Sequence, residues 1–368
     1  MASLILDSEE IIQLSHHEFL KIDKDYEEAA TVANLIYVTD DKTGIKRIKK
    51  GKGFTYIFDD KPLKDKEEIE RIRKLAIPPA WTNVWICHLP NGHIQATGFD
   101  LRQRKQYRYH SLWHTVRNHT KFHKLYEFGK ALPQLRLRVE KDLENAMVNE
   151  QKVLATVISL MERTYIRIGN DGYEKLYGSY GLTTLKDKHV SINGSEMTFS
   201  FKGKKGVVQE ISLKSKKLAK IVKACREIPG KELFQYFNED GKRCTIDSGM
   251  VNNYIKETTG KDFSAKDFRT WAGSLNALRA FHSLGKAISE SDAKKKVVQA
   301  LDEVSKQLGN TRTVCKKYYV HPGIIQMYEE DKLNRYLDEL DKIEIPDDHS
   351  DLTPEEKLLM KVLKALTK

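Results

Sequence analysis

The apolar residues of this chain change period near residue 120, and no single layer of secondary structure satisfies both periods. Upstream, short runs alternate and are broken by turn residues. They are Ile36-Tyr37-Val38, Gly53 to Phe58, Val84 to Cys87 and His93 to Gly98, separated by Asp59-Asp60 and Pro90-Asn91-Gly92. A period of two buries one face of an antiparallel sheet. One short helix, about Lys66 to Leu75, interrupts the strands before Pro78-Pro79. Downstream, Leu125, Phe128, Leu132, Leu135 and Val139, then Val153, Val157, Leu160 and Tyr165, recur every three or four residues, as helices packed on a core require. A β excursion covers 189–213, with turns at Asn193-Gly194 and Gly203 to Gly206, before helices resume to about residue 341.

The expected fold is therefore α+β. A small antiparallel β-rich domain covers 35–117, and a mostly α-helical domain with a small β-sheet covers 118–345. A chain of 368 residues suffices for two such cores. A short acidic amphipathic leader, read as one helix, occupies 1–34. The segment 346–368 begins in the Ile345-Pro346-Asp347-Asp348 linker, and Thr353-Pro354-Glu355-Glu356 caps a last amphipathic helix.

Charge is segregated along this plan. Residues 1–34 set two lysines against eight acids, and 324–368 set seven Lys/Arg against twelve Asp/Glu, so the body between carries +22 in a chain of net +11. A basic body with acidic ends suits a polyanion, nucleic acid first among them. No apolar run reaches the length of a membrane span, and the start lacks the basic n-region of a secretory signal. Cys87, Cys225, Cys244 and Cys315 show no Cys-x-x-Cys spacing and read as reduced thiols rather than a zinc site or a disulfide frame. The expected location is the cytoplasm, at the nucleoid in a bacterial host.

Four segments carry the chemistry: Tyr165-Ile166-Arg167-Ile168-Gly169-Asn170, Phe201-Lys202-Gly203-Lys204-Lys205-Gly206, Lys266-Asp267-Phe268-Arg269-Thr270-Trp271, and Leu308-Gly309-Asn310-Thr311 running into Tyr318-Tyr319-Val320-His321-Pro322. In order and spacing they resemble the active-site blocks of type IB DNA topoisomerases of the poxvirus-like and bacterial branch. The resemblance extends through Ile77 to Trp81, Gln95 to Gly98 and Arg104 to His110, about residues 35–330 in all. It implies a catalytic domain of the tyrosine recombinase/type IB topoisomerase type acting as a monomeric clamp on double-stranded DNA. One strand would be broken through a 3′-phosphotyrosyl link at Tyr319, supercoils of either sign would relax by swivelling, and the strand would reseal. One ester replaces another, so no ATP, metal or other cofactor is implied.

The residue types suit that reaction. Phosphoryl transfer asks for positioning and for cations on the non-bridging oxygens, and Arg167 and Arg269 would be two such clamps. A tyrosine hydroxyl titrates near 10, and neighbouring arginines favour its phenolate. The 5′ oxygen leaves poorly unless protonated, and Lys204, in a glycine-flanked turn, could swing onto it as general acid. Tyr318 competes with Tyr319 for the nucleophile's role; the resemblance selects Tyr319, which directly precedes Val-His-Pro, and His321 then reads as structural. Where poxvirus and eukaryotic enzymes have histidine this chain has Asn310, which can donate a hydrogen bond to a phosphoryl oxygen but carries no charge. Lys266 is implied near the scissile phosphate. Lys105, Gln106, Tyr107, Arg108 and Tyr109 form a basic and aromatic run on a strand and are implied DNA contacts.

Each residue alone has an ordinary alternative. Arg167 could be a surface arginine, Arg269 the partner of an acid such as Asp267, and Lys204 a solvated lysine. Two rival functions remain: a site-specific tyrosine recombinase, in which Lys266 would be the histidine of His-x-x-Arg, and a DNA-binding protein that has lost activity.

Overall fold

The computed structural model describes residues 15–51, 53–340 and 351–367, which form two compact units, one ending at Lys124 and one running from Leu125 to Leu366.

In the first unit, helices α1 (His16–Ile22) and α2 (Tyr26–Val32) occupy the leader, where one helix was expected. The break has a local cause: Asp25 caps α2 by accepting the Glu27 and Glu28 amides. Phe19, Ile22, Ala29, Ala30 and Leu35 pack with Trp113 and Val116. Six antiparallel strands follow: β1 (Ile45–Lys50), β2 (Gly53–Phe58), β3 (Lys61–Pro62), β4 (Thr82–Ile86), β5 (Ile94–Phe99) and β6 (Lys105–Tyr109), in the order β3-β2-β1-β4-β5-β6. One face, with Ile45, Val84, Ile86 and Ala96, is buried with Ile72 of α3 (Lys66–Lys74).

Two strand expectations fail here. Ile36-Tyr37-Val38 is not a strand. Ile36 forms a single bridge to Gly92, and the Val38 amide donates to the His93 Nδ1 at 3.0 Å, so a side chain takes the place of a ladder. β1 was not expected because four of its six residues are Lys or Arg. It holds its place through Arg47, whose guanidinium donates to the carbonyls of Ile77 (3.2 Å), Pro78 (3.0 Å) and Trp81 (2.8 Å).

α4 (Ser111–Leu143) begins in the first unit and enters the second, nine residues before the expected onset of helix at Thr120. Its early stripe of Trp113, Val116 and Thr120 is diluted by the histidines and Arg117 around it. The second unit continues with α5 (Glu150–Thr164), α6 (Asp171–Tyr177) and a three-stranded meander, β7 (Val190–Asn193), β8 (Glu196–Lys202) and β9 (Val208–Lys214), where the β excursion was expected. α7 (Lys216–Glu227) leads to a hairpin, β10 (Gln235–Phe237) with β11 (Arg243–Thr245), in a region expected to be helical. Three-residue strands are too short to display a period.

The remaining helices are α8 (Ser248–Thr259), α9 (Ala265–Leu284), α10 (Glu290–Leu308), α11 (Arg312–Tyr318), α12 (Pro322–Glu329), α13 (Asn334–Leu340) and α14 (Pro354–Leu366). α5 and α9 are buried along most of their length and form the centre of this unit's core. Thr353 caps α14 reciprocally with Glu356, as expected of that sequence. The Ile345-Pro346-Asp347-Asp348 linker lies outside the described residues.

Candidate active site

The site is assembled from three segments of the second unit. The first is the end of α5, where Tyr165 adopts the left-handed conformation (φ 57°, ψ 13°) and turns the chain out of the helix. Two residues on, the Arg167 segment is strapped to the turn at 181–184: the Leu182 amide donates to the Arg167 carbonyl at 2.8 Å, and the Thr183 amide and hydroxyl donate to the Ile168 carbonyl at 2.7 and 2.8 Å. Gly181 permits the strap, because a Cβ there would stand 2.4 Å from the Arg167 carbonyl oxygen. Arg167 Nη2 then donates to Asn310 Oδ1 at 2.6 Å. Burial and the nearby Arg269 charge push the Arg167 pKa down, and it stays protonated because arginine starts so far above neutrality.

The second is α9. Arg269 is 6% exposed, yet no acid pairs with it among the described residues. Its Nη1 donates to the Tyr165 carbonyl and its Nη2 to that of Leu308 at 2.7 Å, while its buried Nε has no partner among the described residues. An orphaned buried donor costs about 1–3 kcal/mol, more when charged, so this pocket is short of one acceptor.

The third is the end of α11. Tyr319 is its C-cap, and the Arg269 guanidinium lies 5.1 Å from the centre of the Tyr319 ring. The Tyr319 hydroxyl is beside Arg167. Tyr318 is instead covered by Lys317, 5.5 Å from its ring centre. The Tyr319 carbonyl accepts from Ser274 Oγ at 3.4 Å, and that oxygen accepts from the His321 amide at 3.1 Å. Gly273 of α9 admits this close approach: a Cβ there would lie 2.5 Å from the Tyr319 carbonyl oxygen. His321 caps α12, its Nδ1 accepting from the Gly323 amide at 3.0 Å. Among the described residues Asn310 Nδ2 reaches only the Leu308 carbonyl, at 3.4 Å, and so retains donor capacity. Burial pushes the neighbouring Cys315 thiol up to about 11, against the pull of both arginines, so it is protonated at neutral pH.

The structure thus brings together Arg167, Arg269, Asn310 and Tyr319. No hydrogen bond or ion pair joins Lys204 or Lys266 to this cluster among the described residues. Lys204 is exposed in the turn between β8 and β9 and makes no hydrogen bond or ion pair among the described residues. Its strand pair reaches the cluster through Gln209, whose amide would lie 2.7 Å from a Cβ on Gly309. Lys266 is exposed one turn before Arg269.

Strand alternation divides the run on β6. Lys105, Tyr107 and Tyr109 project to one face, while Gln106 and Arg108 project to the face buried with Ala96. Lys105 Nζ is paired with Asp40 at 2.7 Å, Gln106 Nε2 donates to Asp100 at 3.1 Å, and Arg108 Nη2 donates to the Ala76 carbonyl at 2.8 Å. Tyr107 and Tyr109 stack at 5.7 Å; Tyr107 is exposed, and Tyr109 packs into the α1–α2 cluster. The exposed Lys46, Ile48 and Lys50 of β1, which sequence reasoning passed over, share the Tyr107 face through the register.

Tyr165, Gly181, Thr183, Gly273 and Ser274 were missed as well, since each acts on backbone groups of other segments. The small residues Ala272-Gly273-Ser274 and the place of Tyr165 at the head of the Arg167 block were the signals available.

Comparison with known proteins bears on this arrangement. The family described as the catalytic core of eukaryotic DNA topoisomerase I matches residues 110–344, and that described as the N-terminal domain of bacterial DNA topoisomerase IB matches 53–100. Neither match reaches α14. The chain is 34% identical over 294 residues to DNA topoisomerase 1B of Acanthamoeba polyphaga mimivirus, across 78% of this chain and 88% of that protein. It is 25% identical over 247 residues to DNA topoisomerase 1B of vaccinia virus strain Copenhagen, across 67% and 74%. To DNA topoisomerase 1 of rabbit fibroma virus strain Kasza it is 21% identical over 300 residues, across 76% and 90%. With a catalytic-core match that holds the whole Arg167, Arg269, Asn310 and Tyr319 cluster, the chain belongs to the type IB DNA topoisomerases.

Proposed function

We propose that this enzyme relaxes duplex DNA by a reversible transesterification on Tyr319. The Tyr319 oxygen, its proton passing to water, attacks a backbone phosphorus in line, and the bond from phosphorus to the 5′ oxygen breaks as the new 3′-phosphotyrosyl bond forms. Arg167, Arg269 and Asn310 hold the non-bridging oxygens, where charge accumulates. Lys204 swings in with the β8–β9 turn and delivers a proton to the departing 5′ oxygen. The freed strand swivels under torsion, and the reverse reaction reseals it with no net change in ester bonds and hence no need for ATP. The catalytic unit is of the tyrosine recombinase/type IB topoisomerase type, working as a monomer without a metal. Lys266 on the catalytic unit and the Tyr107 face of the other unit add contacts to the backbone.

The observation that carries this reading is the Arg269 Nε, buried without an acceptor beside Tyr319 and Arg167. Two cations converging on one phenol, with a donor to spare, are matched to a phosphodiester anion. The test is supercoiled plasmid in EDTA without ATP. Relaxed topoisomers are expected for both signs of supercoiling, at a rate that falls steeply with salt. Joined sites between plasmids would indicate a recombinase instead, and retardation without relaxation a silent DNA-binding protein.

A further inference from the structure

Tyr165 stands between the two arginines without being a candidate for either clamp. Its left-handed backbone sets the direction in which the chain leaves α5 toward Arg167, two residues later. Its carbonyl takes the Arg269 Nη1. A non-glycine residue in this region of backbone space is strained and persists only where its surroundings fix it.

Packing alone does not fix it. Tyr165 is half-buried and borders a cavity of about 310 Å³ that is also lined by Phe268, Arg269, Trp271 and Arg279. A ring with open space beside it needs a polar anchor to hold one position. The Arg279 guanidinium, on the wall of the same cavity, is the charged group beside the Tyr165 hydroxyl. Arg279 is in turn gripped by Glu355, Nη2 to Oε2 at 2.8 Å and Nε to Oε1 at 3.3 Å.

Glu355 belongs to α14, which is braced independently. Its neighbour Glu356, 3% exposed, accepts from Arg136 at 2.7 and 2.9 Å and from the Trp271 indole at 3.0 Å. Trp271 is two residues from Arg269. At the far end of α14, Leu366 fills the space beside Gly323, at the start of the helix that follows Tyr319. α14 therefore touches α9, which carries Arg269, and α12, which begins three residues after Tyr319, although it lies outside the matched core.

We propose that Tyr165 is a positioning residue for Arg167 and Arg269, and that Arg279 and Glu355 hold its hydroxyl so that α14 sets the geometry of the clamps. The proposal rests on the reading of those arginines as phosphate clamps. Loss of the hydroxyl would let Tyr165 relax, turning its carbonyl from Arg269 and the chain at Arg167 from the phosphate.

The test compares wild type with Tyr165→Phe, Glu355→Gln, the double variant, and Arg269→Ala. Single-turnover cleavage of a duplex is measured with the equilibrium affinity for that duplex and thermal melting. Tyr165→Phe is expected to cleave about tenfold more slowly, a loss of about 1.4 kcal/mol in the transition state, at unchanged affinity and melting. Glu355→Gln should slow cleavage about threefold, and the double variant should be no slower than Tyr165→Phe, because both act along one chain of contacts. Wild-type cleavage by Tyr165→Phe, multiplicative effects in the double variant, or a loss of cleavage that merely follows melting would overturn the proposal. Should Tyr165→Phe melt early, Glu355→Gln, at a more exposed position, carries the same comparison. Wild-type cleavage by Arg269→Ala would remove the reading of the clamp itself; loss there with normal Tyr165→Phe removes only the positioning role.

Discussion

Replacing Gly273 with alanine should slow DNA cleavage about a hundredfold while leaving the protein folded. The new Cβ would stand 2.5 Å from the Tyr319 carbonyl oxygen and 2.8 Å from the Tyr319 carbonyl carbon and Cβ. Ordinary carbon contacts begin near 3.5 Å, so α9 and the Tyr319 segment must part by roughly 1 Å. Neither can yield alone: Ser274 joins α9 to the Tyr319 carbonyl and to the His321 amide, and Arg269 on the same helix is tied to Tyr165 and Leu308. A displacement of that size between nucleophile and clamp costs about 10²-fold in rate, or roughly 2.7 kcal/mol. Stability moves less, because overpacking of about 1–3 kcal/mol is offset by the roughly 1 kcal/mol that alanine gains over glycine within a helix. The assay is formation of the covalent adduct in a single turnover on a duplex with a mapped cleavage site, with DNA affinity and urea unfolding measured alongside. Cleavage by Gly273→Ala within threefold of wild type would show that the contact between α9 and Tyr319 does not set the reacting geometry.

Lys204→Ala should lose about 10²–10⁴-fold in cleavage, and a duplex with sulfur in place of the 5′ bridging oxygen, which leaves without a proton, should restore most of it; equal losses on both substrates would remove the general-acid role. Asn310→Ala should cleave about 10²-fold more slowly at constant DNA affinity, the effect of one missing donor to a developing oxyanion; wild-type cleavage would assign Asn310 to holding Arg167 alone. In the N-terminal unit, burial pushes His123 down to about 4, assisted by the charges of His16 and His119. A base with a depressed folded value contributes its full stability above the unfolded value of about 6.5 and loses it as pH falls toward 4. Urea unfolding of this unit should therefore shift to lower midpoint between pH 7 and 5, and His123→Phe should flatten that dependence; an unchanged slope in the variant would locate the proton elsewhere.

What the sequence disclosed follows from where the information is carried. The candidate site residues Arg167, Arg269, Asn310 and Tyr319 stand in short blocks at fixed spacing, and motif and periodicity together pointed to them and to the helices around them. The contacts that aim them were not legible, because they run through backbone: the left-handed Tyr165, the strap of Thr183 on Ile168, and the approach of Gly273 to Tyr319. Alternation alone would have divided Lys105 to Tyr109 between two faces once the segment was accepted as a strand, but which face is covered depends on α3 and Asp40, far away in sequence. Ile36-Tyr37-Val38 misled in the opposite sense, as an apolar run whose amide is claimed by His93 rather than by a neighbouring strand. β1, with four basic residues in six, has no apolar pattern to read, and Arg47 fixes it by three carbonyls from a distant loop.

The most direct test is the identity of the tyrosine that becomes joined to DNA. Wild type, Tyr319→Phe and Tyr318→Phe are each incubated with labelled duplex in EDTA, denatured, and the DNA-linked peptide is mapped by mass spectrometry. The adduct is expected on Tyr319 in wild type, unchanged in position in Tyr318→Phe, and absent from Tyr319→Phe together with plasmid relaxation. An adduct in Tyr319→Phe, or one mapped to Tyr318, would contradict the assignment of the nucleophile and with it the geometry built around Arg269.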